Sequence, residues 1–108
     1  MTPDLAQSLS ELECWIEQDT CLVLRFIDAG GGFDPFWQLL VACSYDENPI
    51  FLRRVTKVVY HLAKVASAEE RRRLSERLSR KGDVVCGITG EESLYAVVKR
   101  IVTILNEP

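Results

Sequence analysis

Five helix starts are written into this chain, and that punctuation constrains its fold more than any other feature. Three times a short polar residue precedes proline: Thr2-Pro3, Asp34-Pro35 and Asn48-Pro49. In each pair the first side chain can accept from a free amide of the first turn. Proline then occupies the first helical position, where its missing donor costs nothing. Twice a capping box occurs, Ser67-x-x-Glu70 and Thr89-x-x-Glu92, in which side chain and backbone satisfy one another reciprocally. A chain of 108 residues divided in this way leaves little room for a sheet.

The apolar spacing between these starts agrees. A helix over 3–18 would carry Leu5, Leu9, Leu12 and Ile16 on one stripe, with Trp15 at its edge. A helix over 49–66 turns Phe51, Val55, Val58, Val59 and Leu62 inward. One over about 90–105 does the same with Leu94, Val97, Val98, Ile101 and Leu105. The segment after Asp34 is apolar nearly all round, with Phe36, Trp37, Leu39, Leu40, Val41 and Cys43, and is expected to be central. The segment 68–81 turns only Leu74 and Leu78 inward, and Gly82 reads as its left-handed stop, so it is expected on the outside.

Two segments are less determined. Residues 21–27 fit either a strand or a short buried helix capped by Asp19 or Thr20 and ended by Gly30; the helix is the preferred reading. Residues 83–89 read as an extended connector. The expectation is a mostly α chain, a compact bundle of five or six helices with at most one short extended segment, in a single domain spanning 1–108. The composition suits a self-sufficient core, with 47% hydrophobic and 27% charged residues.

The residues that carry chemistry are sparse. Cys14, Cys21, Cys43 and Cys86 form no CxxC pair, and His61 is the only histidine, so zinc spacings are missing. The glycine run 30–32 lacks the GxxxxGK[ST] of a phosphate loop. His61 lies on a basic stripe between Lys57 and Lys64, without the acid and nucleophile of a catalytic set. No catalytic residue, metal or cofactor is expected. There is no apolar run of membrane-spanning length and no basic-then-apolar leader pattern at the start, so a cytoplasmic protein is expected.

Charge is distributed unevenly, and the net value of −3 hides this. Up to Asn48 there are nine acids against Arg25 alone, a balance of −8; beyond it there are twelve Lys and Arg against seven acids, a balance of +5. The spacing of Arg53, Lys57, His61 and Lys64 makes one stripe, and Arg73, Arg77 and Arg80 make another, with Arg71 close by. The link between the two helices is short, so they are expected to lie antiparallel with their stripes merged.

In the acidic half, Asp28, Asp46 and Glu47 sit near helix C-termini, where carboxylates are mildly unfavourable. Between them the glycine run leads into Phe33 and Asp34, which reads as a mobile loop presenting an aromatic beside carboxylates. The alternative for Phe33 is a hydrophobic staple against the following helix.

These features favour a non-catalytic domain that binds another protein, with Asp28, Phe33, Asp34, Asp46 and Glu47 as the partner-binding surface. A small inhibitor, immunity or antitoxin-like protein that covers a basic toxin or nuclease fits this description, and an adaptor or chaperone fits it nearly as well. The second reading is nucleic-acid binding through Arg53, Lys57, Arg71, Arg73, Arg77 and Arg80. Overall acidity places it second. Self-association of the opposite-signed halves into a homodimer is a third.

Overall fold

The structure, a computed structural model, describes residues 3–45 and 49–107. These residues form α1 (Pro3–Gln18), α2 (Thr20–Ala29), α3 (Phe33–Tyr45), α4 (Pro49–Val65), α5 (Ala68–Thr89) and α6 (Glu92–Asn106). Every described element is a helix. Thr2, Asp46, Glu47 and Asn48 lie outside the described residues, and with them two of the expected caps and two of the expected acidic site residues.

Local chemistry accounts for the starts of α2 and α5. Asp19 caps α2, its carboxylate accepting from the Leu22 amide at 3.0 Å. Residues 21–27 are accordingly helical, burying Val23, Leu24 and Ile27. Ser67 and Glu70 form the complete capping box of α5, with bonds of 3.0 and 3.1 Å. That reciprocal bond holds the Glu70 carboxyl below its ordinary pKa, mainly because the Ser67 amide donates to it.

Three boundaries differ from the sequence expectation. Helix α3 begins at Phe33, one residue before the expected cap Asp34, and its first backbone bond runs from the Phe36 amide to the Gly32 carbonyl at 3.1 Å. Starting there carries Phe33 into the core. Helix α5 runs through Gly82 to Thr89, so residues 83–89 are helical rather than extended. Gly82 is not a stop: it is buried, and a Cβ built on it would lie 3.1 Å from Val98 Cγ1 of α6. The glycine is there for close approach of two helices. The left-handed stop is Gly90, with φ of 70° and its amide bonded to the Cys86 carbonyl at 2.8 Å. Thr89 therefore caps nothing as an N-cap; its hydroxyl bonds back to the Val85 carbonyl at 2.9 Å, and Glu91 precedes α6 without a side-chain cap.

One core cluster draws on all six helices. Helix α6 is its hub, burying Leu94, Val97, Val98, Ile101, Ile104 and Leu105 and packing against α5 above all, then α3 and α4. Helix α3 buries Phe36, Trp37, Leu39, Leu40 and Cys43 but leaves Gln38 in solvent. The principal neighbours of α4 are α6, α2 and α1, whereas α5 packs on α6 with α2 at its side. The two basic helices are thus not packed side by side as expected: α5 turns its apolar face to α6, while α4 shares its own among α6, α2 and α1.

Candidate partner-binding surfaces

The acidic and basic residues singled out in sequence meet each other. Arg73 Nη2 on α5 donates to Asp28 Oδ2 on α2 at 2.7 Å, and the Asp28 side chain is only 11% exposed. Lys81 Nζ lies 3.4 Å from Asp34 Oδ1. Between these pairs Arg77 stacks on the Phe33 ring, 4.0 Å from guanidinium carbon to ring centre, and its Nη1 reaches the Asp28 carbonyl at 3.4 Å. Lys81 approaches the same ring at 5.6 Å and that of Trp37 at 5.4 Å.

Phe33 is 4% exposed, so it is not the free aromatic anchor expected from the loop reading. Nor does it act as a staple preceding α3, since it is the first residue of that helix. It is packed beneath the cations of α5, a placement with both apolar and cation–π attraction. The hydrogen bond to Asp28 and its negative charge raise the pKa of Arg73.

The remaining charged residues divide. Arg71 spans to the far end of α6, where Nη1 donates to the Glu107 carbonyl at 2.9 Å, a favourable position for a cation at a helix C-terminus. Glu13 on α1 holds Arg54 on α4 through two hydrogen bonds, and this pairing raises the Arg54 pKa. Arg53 and Lys57 of α4, and Arg80 of α5, are exposed. Among the described residues no group of three or more His, Cys, Asp or Glu is arranged to hold a metal ion, and no helix is long and apolar enough to cross a membrane.

A different surface emerges on the opposite side of α2. There α1, α2 and α3 enclose a groove of about 630 Å³ lined by Leu12, Trp15, Leu22, Phe26, Pro35 and Leu39 among others. Three of these are large apolar side chains left in solvent: Leu22 at 61%, Trp15 at 51% and Phe26 at 50% exposure. Two carboxylates, Glu11 and Asp19, stand on the lining.

The glycine run builds one wall. A Cβ on Gly32 would lie 2.4 Å from Phe26 Cδ1, and one on Gly30 would lie 2.9 Å from the Phe26 carbonyl oxygen. Both glycines let the chain close over Phe26, with the amides of Gly30 and Gly32 bonded to that same carbonyl at 3.1 and 3.0 Å. The sequence offered this run as a source of mobility; in the fold it seats an aromatic ring.

Comparison with family models, with curated proteins and with solved structures finds no match to this chain. The surfaces must be read from their own chemistry.

The signal for the groove was present in sequence but pointed the wrong way. Trp15 sits at the edge of the α1 stripe, and Leu22 and Phe26 are four apart on α2, facing away from Val23, Leu24 and Ile27. In a run as apolar as 21–27, periodicity does not distinguish the core face from an uncovered one.

Proposed function

We propose that this chain is a protein-binding domain, acting by docking rather than catalysis, and that its binding surface is the groove between α1, α2 and α3. The observation that carries the reading is the group formed by Trp15, Leu22 and Phe26, exposed together on one concave lining with Glu11 and Asp19. Scattered surface apolar residues need no explanation, but large ones gathered in a groove are characteristic of interaction sites. A concave, mostly apolar lining with a few polar groups is also the usual form of a binding site.

The partner is a protein with a basic surface. Helices α1 to α3 carry a single cation, Arg25, so this side of the molecule steers positive charge. An inhibitor of the immunity or antitoxin kind, covering a basic partner, is the form of this function that the charge supports; an adaptor uses the same surface. The proposal includes a cytoplasmic site of action, supported by Cys14, Cys21 and Cys86, which remain thiols as reducing compartments preserve them.

The test is affinity capture from the native cell extract with the wild-type chain and with Leu22→Glu, whose folding is checked by circular dichroism. A protein held by the wild type and lost from the variant is the expected result. A protein held equally by both moves the site off the groove and overturns the reading. Recovery of nuclease-sensitive nucleic acid in place of protein favours instead the exposed cations Arg53 and Lys57 on α4.

A further inference from the structure

The dimensions and charge of the groove define the shape of its occupant, an inference that rests on the groove being the binding surface proposed above. The α1 wall extends from Ser8 to Gln18, which at a rise of ~1.5 Å per residue is about 15 Å, close to three helical turns. A helix of about eleven residues fits such a trough by laying apolar side chains at i, i+3 or i+4, and i+7 along its floor. Strand addition, the other common mode of peptide capture, needs an open sheet edge, and every described element here is helical.

Glu11 and Asp19 give the charge. Glu11 stands on α1 and Asp19 at the junction of α1 and α2, both on the groove lining. Glu11 accepts a 3.5 Å bond from Gln7 on its own helix, and Asp19 caps α2 through Oδ1. Neither forms an ion pair among the described residues. Glu13, Asp28 and Asp34, by contrast, are matched by Arg54, Arg73 and Lys81. Both carboxylates on the groove lining are thus without an ion pair among the described residues, which suits a cationic occupant.

We infer that the groove receives an amphipathic helix of a partner protein, about three turns long, with Lys or Arg residues beside its apolar stripe. The cations meet Glu11 and Asp19 while the apolar anchors cover Leu22, Trp15 and Phe26. A second copy of the chain is a poorer occupant. Val84 and Ile88, the exposed apolar pair on its α5, span only one turn, and Ile50, Tyr60 and Val65, exposed on its α4, are ten and five residues apart and so do not line up as one helical stripe.

The experiment is selection of 14-residue peptides from a randomised displayed library on the wild-type chain, followed by titration of the synthesised consensus peptide. The expected consensus has apolar residues at helical spacing and an excess of Lys and Arg. Its affinity should fall at least tenfold with Leu22→Glu. It should fall severalfold, with a flatter salt dependence, in the double variant Glu11→Gln, Asp19→Asn, in which asparagine keeps the α2 cap. A consensus that needs Leu22 but is extended, proline-rich or acidic overturns the helix and charge assignment and leaves the groove as the binding surface. Peptides that bind Leu22→Glu as tightly as the wild type overturn both readings, as does the lack of any enrichment. A chain that sediments as a dimer, and as a monomer once Leu22→Glu is introduced, makes a second copy the occupant and overturns the partner helix.

Discussion

Two faces of the α2–α3 corner use the same ingredients and reach opposite states. On one face Phe33 and Asp28 are covered by α5, whose Arg73, Arg77 and Lys81 supply a counterion for each carboxylate and a cation for the ring. On the other, Phe26, Leu22 and Trp15 stand in solvent beside Glu11 and Asp19, and no helix of the described chain lies over them. An aromatic flanked by acids is thus not by itself a docking site. What separates the two is whether the chain has already provided the complementary helix. The seam between α3 and α5 is, in effect, an internal example of the contact proposed for the groove: a basic helix laid over an aromatic with acidic neighbours.

The largest effect that distinguishes the faces is on stability. Phe33→Ala removes a ring that is buried in the core, and such truncations cost about 3–5 kcal/mol. Trp15→Ala in the groove should stay within about 1 kcal/mol, because half of that side chain already meets water. Urea denaturation of both variants checks this. Equal losses would mean that Trp15 is core and that the groove is a packing fault rather than a surface.

Gly32 adjoins both faces, since it seats Phe26 and supplies the first carbonyl of α3. In Gly32→Ala the new methyl meets the Phe26 ring, which can rotate outward because it is half exposed. The expected outcome is a moderate stability loss, about 1–2 kcal/mol, and a reshaped groove. Groove-directed peptide should bind several-fold more weakly while the near-ultraviolet signal of Trp37 beneath the seam is retained. Unchanged peptide affinity would show that Phe26 does not form part of the contact.

The seam should respond to salt and the cap of α5 to acid. The pairs Asp28–Arg73 and Asp34–Lys81 are partly or wholly in solvent, so added salt should lower the unfolding midpoint slightly, as for other exposed pairs. Glu70 has a depressed pKa in the folded chain, so its contribution is complete above the ordinary carboxylate range and is lost as pH falls through the lowered value. A pH series with Glu70→Gln should show a smaller acid-side loss than the wild type. The same slope in both would remove the capping box as its source.

Much of the architecture was legible because helix starts are local events. Asp19, Ser67 and Glu70 act within three residues of themselves, and each behaves as its spacing implies. The failures are where a residue answers to a distant neighbour. Gly82 looked like a stop because its reason for being glycine is Val98, sixteen residues on. The charge stripes of α4 and α5 looked like one patch because a short link suggested contact, whereas α5 packs chiefly on α6 and α4 on α6, α2 and α1. Asp28 and Phe33 looked free because Arg73 and Arg77, more than forty residues away, do not announce their partners.

The smallest contrast is chemical. Cys14 on α1 and Cys21 on α2 are exposed, while Cys43 is buried in α3 and Cys86 is partly covered on α5. Burial, with Glu91 and Asp83 nearby, pushes the Cys86 thiol above its ordinary pKa, so its thiolate is scarcer at neutral pH. Maleimide labelling followed by mass spectrometry should therefore modify Cys14 and Cys21 first and Cys86 and Cys43 later, without unfolding. Bound groove peptide makes the measurement sharper. Cys21 immediately precedes Leu22, so a helix covering Leu22 should slow its labelling and leave the rate at Cys86 unchanged. Slowing at both cysteines would instead mean that the peptide stabilises the whole fold against opening rather than covering one face, and the distinction between seam and groove would lose its chemical support.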